Sequence, residues 1–391
     1  MSGTSGPKLA IIGGGLGGLT LARLLQLHQI NVVVYEREPS RDARGQGGTL
    51  DLHPESGQRA MREAGLEKDF WANVHAGGTD MRILGKDGAV YREEVGEVEG
   101  ADRPEIDRGL LRDLLLDSVD PAGIRWDHNL AKAVPLEGGG HELHFENGAV
   151  DTCDLLVGAD GAWSRVRPLL TDAKPSYTGV SFIEVGIPDA DRTQPEIAKL
   201  VGRGSLFALE DNRGLLAQRN GDGRIRTYVA LRVPEGWLAS SGIPYDEPGK
   251  ARPAILTHFS DWAPELTDLV RCCDDTILPR PVTMLPIGLR WSAKPGVTLL
   301  GDAAHLMSPF AGEGANLAML DAVELALAIT KLGDGVDMAT AIETYEAELF
   351  ERTATLAQES ADGLDICIAP DGAQKMADLL AHYDSLAAEQ Q

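Results

Sequence analysis

Cysteine is scarce in these 391 residues: Cys153, Cys272, Cys273 and Cys367 are all there are, and no pair has C-x-x-C spacing. A disulfide framework is therefore not expected, and free thiols in a cytoplasmic protein are the simplest reading. Basic residues are also in short supply. Against 60 Asp and Glu stand 36 Lys and Arg, a net charge of −24, which argues against nucleic acid or an anionic membrane as a partner. Although 43% of the residues are hydrophobic, no uninterrupted apolar stretch is long enough to cross a bilayer. The segment Met1–Lys8 has neither a basic start nor an apolar middle, so no secretory leader is expected. No internal repeat or low-complexity tract suggests a solenoid. Asp302 and His305 lack a third ligand at usable spacing, so no metal site is expected. The chain is long enough for two lobes with ample core.

What is present is a set of strand-to-helix turns. Lys8–Ile12 reads as a short buried strand, followed by Gly13-Gly14-Gly15-Leu16-Gly17-Gly18 and a Leu-rich helix through His28. In this G-x-G-x-x-G pattern Gly13 allows the turn, Gly15 lets backbone approach a pyrophosphate, and Gly18 permits close helix–strand packing. The next strand, Asn31–Tyr35, ends in Glu36, where a carboxylate can take both hydroxyls of an adenosine ribose. That carboxylate repels a 2′-phosphate, so FAD or NAD is favoured there over NADP. Arg37 reads as an adenine-stacking or solvated residue.

The strand Val297–Leu300 leads into Gly301-Asp302-Ala303-Ala304-His305, then Pro309-Phe310-Ala311-Gly312, and a helical pattern from Ala315 to about Leu332. Asp302 can accept hydrogen bonds from a ribityl-type hydroxyl. The N–H groups of Gly312, Gly314, Ala315 and Asn316 present the positive end of the helix dipole. In mid-chain, Cys153–Val157 reads as a parallel strand with Asp160-Gly161 at its carboxyl end, and Ser164 and Arg167 as the start of a helix. Ligands sit outside the carboxyl ends of such strands. Asp107 reads as the N-cap of a helix whose first turn holds Arg108. A cation there is unfavourable without an anionic partner, so Arg108 is expected to have one. Arg224–Val233 alternates, with Ile225, Thr227, Val229 and Leu231 on one face and Arg224, Arg226 and Tyr228 on the other, as in an antiparallel sheet with one apolar face. A long helix is expected from Asp337 to about Cys367.

The order and spacing of these motifs resemble the para-hydroxybenzoate hydroxylase class of FAD-dependent monooxygenases over nearly the whole chain. Tyr35-Glu36-Arg37, Gly47–His53, Pro104-Glu105-Ile106, Gly301–Met307 and Pro309–Gly312 are similar to the TetX-type tetracycline-inactivating enzymes. The resemblance implies that Asp51, Arg108 and Asp302 contact FAD and that Arg44 serves NADPH. It also implies that Pro309, Phe310 and Gly312 border the substrate, and that Glu184 and Arg203 fall at substrate-contacting positions. Glu313 departs from it, standing where relatives carry Gln.

The implied fold is α/β, with a Rossmann-type FAD-binding domain, an inserted antiparallel-sheet substrate domain and a long C-terminal helix. The expected boundaries are 1–175 (with an excursion to the substrate lobe at about 75–100), 176–280, 281–335 and 336–391, the last a bridging helix. The implied activity is hydroxylation of tetracycline or a similar polycyclic enol or phenol through a flavin C4a-hydroperoxide. FAD would be held tightly, NADPH would bind transiently as donor, and O2 would be the co-substrate. No catalytic side chain is assigned, since the flavin carries the chemistry, and a monomer is expected. Hydroxylation of another aromatic or polyketide substrate is the alternative. A non-catalytic flavin- or drug-binding sensor is the reading from a different class.

Overall fold

The computed structural model describes residues 7–43, 45, 47–75, 80–95, 103–137, 139–332 and 336–389. It divides into two compact units. One comprises Met1–Asn73, Arg108–Ser176 and Met284–Ser360; the other comprises Val74–Asp107, Tyr177–Thr283 and Ala361–Gln391.

The first unit is built on a five-stranded parallel sheet in the order Val297–Leu299, Leu155–Gly158, Leu9–Ile12, Val32–Tyr35 and Ile124–Arg125. Its strands are short apolar runs because helices leave little of the sheet to water. Leu9–Ile12 is entirely buried and the helix Leu16–Leu27 follows it. In register, Ile12 lies opposite both Tyr35 and Gly158, and Gly158 opposite Leu299. The residues that follow, Gly13, Glu36, Ala159-Asp160 and Leu300–Asp302, therefore leave the sheet along one edge. The chain turns to opposite sides of Leu9–Ile12 on its way to Val32 and to Leu155, so that edge contains a topological switch point. The helix Glu313–Thr330 packs on Leu16–Leu27. A Cβ on Gly17 would stand 2.7 Å from the Ala318 carbonyl oxygen, so glycine there sets how closely the helices approach. The unit also contains a three-stranded antiparallel sheet of Leu130–Pro135, His141–Phe145 and Val150–Cys153, which the sequence reading did not anticipate. Where a helix was expected to begin at Ser164, there is a single 3-10 turn, Arg167–Leu169. Ser164 Oγ accepts the Val166 and Arg167 N–H groups, and the extended path set by Pro175 leaves no length for a helix before the next strand.

The second unit holds a seven-stranded sheet in the order Leu278–Met284, Ser176–Ile187, Ile225–Arg232, Arg213–Arg219, Ser205–Glu210, Met81–Leu84 and Val90–Glu94. Ser176–Ile187, Ile225–Arg232, Arg213–Arg219 and Ser205–Glu210 pair antiparallel in turn, Ser205–Glu210 pairs parallel with Met81–Leu84, and Met81–Leu84 antiparallel with Val90–Glu94. Ile183, Val185, Ile187, Leu215, Ala217, Ile225 and Val229 form a buried core with Ile197, Ile255, Leu266 and Leu269 of the covering helices. The alternation read at Ile225–Leu231 produces this face. Phe182, Glu184, Arg226, Tyr228, Leu216 and Gln218 share the other, where Glu184 pairs in register with Tyr228 and Tyr228 with Leu216. The helix Met338–Cys367 ends where the sequence reading ended it. A further helix, Gly372–Glu389, follows and packs on the strands at the Val90–Glu94 end of the sheet. No described helix is long and apolar enough to cross a membrane.

Candidate functional site

The three spaced glycines of the first turn differ in what surrounds them. Gly13 has φ +111°, and a Cβ there would fall 2.3 Å from the Ala159 carbonyl oxygen of the adjacent strand end. On Gly18 it would fall 2.1 Å from the Gly13 carbonyl oxygen. On Gly15 it would meet nothing within 4 Å, in a residue of ordinary φ. The first two positions are closed by the protein's own backbone, whereas Gly15 borders open space, as close approach of a ligand requires. No side chain caps the helix that starts at Leu16, so its first N–H groups remain available.

Glu36 is buried beside this turn. Its Oε2 accepts the Gly14 N–H at 2.6 Å and its Oε1 the Glu38 N–H at 3.0 Å. Arg112, also buried, holds the turn from the other side, donating Nε to the Gly14 carbonyl at 3.2 Å. Gly14, Gly15, Leu16, Glu36, Glu38, Arg108 and Arg112 line a cleft at this point. Arg108 is exposed at its mouth, and no ion pair joins it to another described residue, so the anion expected beside it does not come from the described chain. Arg37 is exposed, 3.6 Å from Glu38. Arg44 lies outside the described residues.

At the far side of the sheet, Asp302 opens a short helix, Asp302–His305. It is half-buried, and its carboxylate makes no hydrogen bond to a described side chain or amide. The turn before it is anchored by Asp321, which the sequence reading missed. This fully buried carboxylate accepts the Gly301 N–H at 2.9 Å, His305 Nε2 at 2.6 Å and Arg352 Nη2 at 2.8 Å. Burial alone would raise its carboxyl, but His305 and Arg352 beside it hold it below the usual range. Asp160, at the neighbouring strand end, accepts the Arg165 N–H at 2.6 Å through Oδ2. Its Oδ1 is buried without a partner among the described residues, and burial pushes this carboxyl up.

The loop after Thr49–Asp51 is tied to the helix Glu313–Thr330 by Asn316. This buried amide accepts the His53 N–H (3.0 Å) and Gly57 N–H (3.2 Å) and donates to the Asp51 carbonyl (2.9 Å). Its side chain is thereby committed to the protein, which leaves the backbone N–H, the group expected to face the cofactor, as its contribution there. His53, 1% exposed, stands between two carboxylates, with Asp51 at 2.9 Å from Nε2 and Glu313 at 3.1 Å from Nδ1. Burial opposes its charged form, but the hydrogen bond to Asp51 and the Glu313 carboxylate beside Nδ1 outweigh that and raise its pKa to about 9. The Glu that departs from the expected Gln thus has a partner of its own. Gly312 sits in the left-handed region at φ +69°, near Asp51, and caps the helix without a side chain. Gly314 borders open space, Ala315 and Phe310 are half-buried, and Pro309 is exposed.

The two substrate assignments in the second unit have internal partners. Arg203 makes a two-pronged pair with Asp80 (2.8 and 2.9 Å) at an exposed groove lined by Asp191, Pro195, Ala198, Lys199 and Arg219. Glu184 is buried and bonded to Arg226 and to Arg280. Arg224 lies across Gly186, where a Cβ would meet its guanidinium at 2.5–2.9 Å, and pairs with Asp274 at 2.7 Å.

The first unit's residues fit a bound adenine dinucleotide: open space at Gly15 and Gly314, an uncapped helix start, a pinned acid at the second strand end, and a carboxylate without a partner at Asp302. Comparison with known proteins agrees. The FAD binding domain family model matches residues 8–195 and 290–360. Monooxygenase asqM of Emericella nidulans is 33% identical over 376 residues, covering 83% of this chain and 84% of that one. Among solved structures, Klebsiella pneumoniae HpxO complexed with FAD and uric acid superposes with a TM-score of 0.78 at 22% identity, over 98% of this chain and 93% of that one. Tetracycline destructase Tet(55) gives 0.72 at 19% identity, over 93% and 90%.

Proposed function

The chain belongs to the FAD binding domain family and is an FAD-dependent monooxygenase, and from that premise we propose that it uses NADPH to hydroxylate a planar enol or phenol, with tetracycline the first compound to test. The observation that carries this reading is the alignment of Gly13, Glu36, Asp160 and Asp302 along one edge of a single parallel sheet.

FAD, when bound, supplies hydride acceptance and oxygen activation; the residues around it bind, orient and exclude water. Glu36, pinned by two amides, takes the ribose hydroxyls of the adenosine half. The N–H groups at Leu16–Gly18 and the Arg108 guanidinium would hold the pyrophosphate. Asp302 takes a ribityl hydroxyl, its position fixed through Gly301 by Asp321. Asp51 and the Pro309–Gly312 turn would hold the ring end of the cofactor. Neither His53 nor His305 is assigned a proton-transfer step, since each is buried and held by carboxylates of the fold. Tetracycline and uric acid are both fused ring systems whose ionised forms spread negative charge over conjugated oxygens, and a fold shared with proteins that handle them supports a substrate of that kind.

Purified protein should be yellow and release FAD on denaturation. NADPH oxidation should rise on adding tetracycline or a planar phenol, with catalase present to expose uncoupled peroxide. Release of FMN, or turnover that yields peroxide alone with every compound, would defeat the reading.

A further inference from the structure

The segment 306–312 joins the Asp302 turn to the helix Glu313–Thr330. At its start the Leu285 N–H reaches the Leu306 carbonyl at 2.9 Å. The turn at its end is closed by long bonds, from the Gly312 N–H to the Pro309 carbonyl and from Asn316 Nδ2 to the Gly312 carbonyl, both 3.4 Å. Between the two, Ser308 and Ser360 make a short reciprocal set. Ser360 Oγ donates to the Ser308 carbonyl at 2.6 Å, and Ser308 Oγ lies 2.7 Å from both the carbonyl and the Oγ of Ser360. A hydroxyl has one hydrogen to give. Ser360 spends its own on the main chain of the segment, and Ser308 returns its own to Ser360. The residues are 3% and 0% exposed, so no water competes for these bonds. This is not the usual partner for a serine inside a helix. Hydroxyls there commonly bond back to the carbonyl four residues earlier, as Thr353 does to Leu349 at 2.8 Å in the same helix, Met338–Cys367. Ser360 instead reaches across 52 residues of chain to Ser308.

We propose that Ser308 and Ser360 are positioning residues: together they set the height of the Pro309–Gly312 turn against the cofactor ring, and with it the share of oxygen that reaches substrate. The inference rests on the reading that this turn holds the ring end of FAD. NADPH, a proton and O2 have two outcomes. Coupled turnover puts one oxygen atom into the substrate and releases the other as water; uncoupled turnover returns both as hydrogen peroxide. A wall that drifts admits water and misplaces the substrate, which favours the second outcome. Both serines are enclosed by protein, so their effect on substrate passes through the turn.

The test compares FAD-loaded wild type with Ser360→Ala, Ser308→Ala and Ser360→Thr. In Ser360→Ala, amide hydrogen exchange across residues 310–313 should quicken about tenfold, the scale of one buried hydrogen bond left unmade, while the helix Leu16–Leu27 keeps its wild-type rates. Ser308→Ala should have the smaller effect, because the bond from Ser360 to the Ser308 carbonyl survives it. Ser360→Thr keeps the hydroxyl and should restore most of the protection. With tetracycline or 1-hydroxy-2-naphthoate, the peroxide released per NADPH should rise severalfold in Ser360→Ala while FAD affinity stays near wild type. Circular dichroism of the bound flavin's visible bands should change in the same variant and return with threonine. Unchanged exchange at the turn in Ser360→Ala would overturn the proposal, as would faster exchange with the flavin bands and the peroxide share unaltered. Loosening spread evenly over the fold would mark the pair as merely structural and overturn it too. Should wild type oxygenate neither compound, the substrate reading fails by itself, and the exchange and the flavin bands decide the role of the serines.

Discussion

Asp321 offers the sharpest test of how the Asp302 turn is held. Alanine at this position strands the Gly301 amide and the buried His305, and leaves Arg352 without its anion, around a carboxylate that has no exposure to water. Removing one partner of a buried ion pair costs roughly 3–5 kcal/mol, a large share of a total stability on the order of 5–15 kcal/mol. At roughly 2–4 °C per kcal/mol for a unit of this size, the melting temperature should fall by about 6–20 °C. Asparagine should cost less, about 1–3 kcal/mol. Its oxygen can still accept from Gly301 and His305, while its amide group meets Arg352, which can turn toward water. The depressed carboxyl also sets a sign for pH. Asp321 contributes stability above the ordinary carboxyl range and loses it as pH falls through its lower folded value, so the asparagine variant should show a flatter acid limb. Scanning calorimetry of apo and FAD-loaded protein, with FAD affinity from equilibrium dialysis, measures both consequences. An alanine variant that melts within about 2 °C of wild type and binds FAD equally well would refute the claim that this network positions the turn.

Asp302→Ala should weaken FAD binding by about one to two decades, the value of a charge-assisted hydrogen bond of roughly 1.5–3 kcal/mol, while apo stability stays near wild type; flavin titration distinguishes the two. Gly18→Ala, whose Cβ would sit 2.1 Å from the Gly13 carbonyl oxygen, should displace the glycine turn and abolish FAD retention, visible as colourless protein after gel filtration. His53, raised to about 9, contributes stability that is complete below its unfolded pKa near 6.5 and is lost as pH rises toward 9. Glu313→Gln removes one of its two carboxylates, so thermal melts across that range should show a smaller total loss that is complete at lower pH.

The cofactor half was legible because its chemistry is written in contiguous residues: a strand, three spaced glycines, and an acid at the next strand end. The structure adds why two of those glycines admit no side chain and that the third borders open space. What the sequence reading missed are partnerships across long separations. Asp321 lies 16 residues from His305 and 31 from Arg352, and only a carboxylate amid Leu317, Leu320, Ala322 and Val323 hinted that something buried must meet it. Asn316 was read for its backbone N–H at the helix start, and its side-chain ties to the His53 loop, which span more than 250 residues, left no mark in the sequence. Arg280 was invisible because Pro279 and Pro281 obscure its strand; prolines are tolerated there because the strand lies at the sheet edge. Glu184 was noticed, but its two arginines come from neighbouring strands, and their convergence depends on register.

The most direct test of the central claim is mass spectrometry of product formed under isotopically labelled dioxygen by the FAD-loaded protein with NADPH, using tetracycline and 1-hydroxy-2-naphthoate. A monooxygenase of enols or phenols should place a single labelled oxygen atom in at least one of them, with product formed in step with NADPH consumed. Label appearing only in peroxide, with both compounds recovered unchanged, would contradict it.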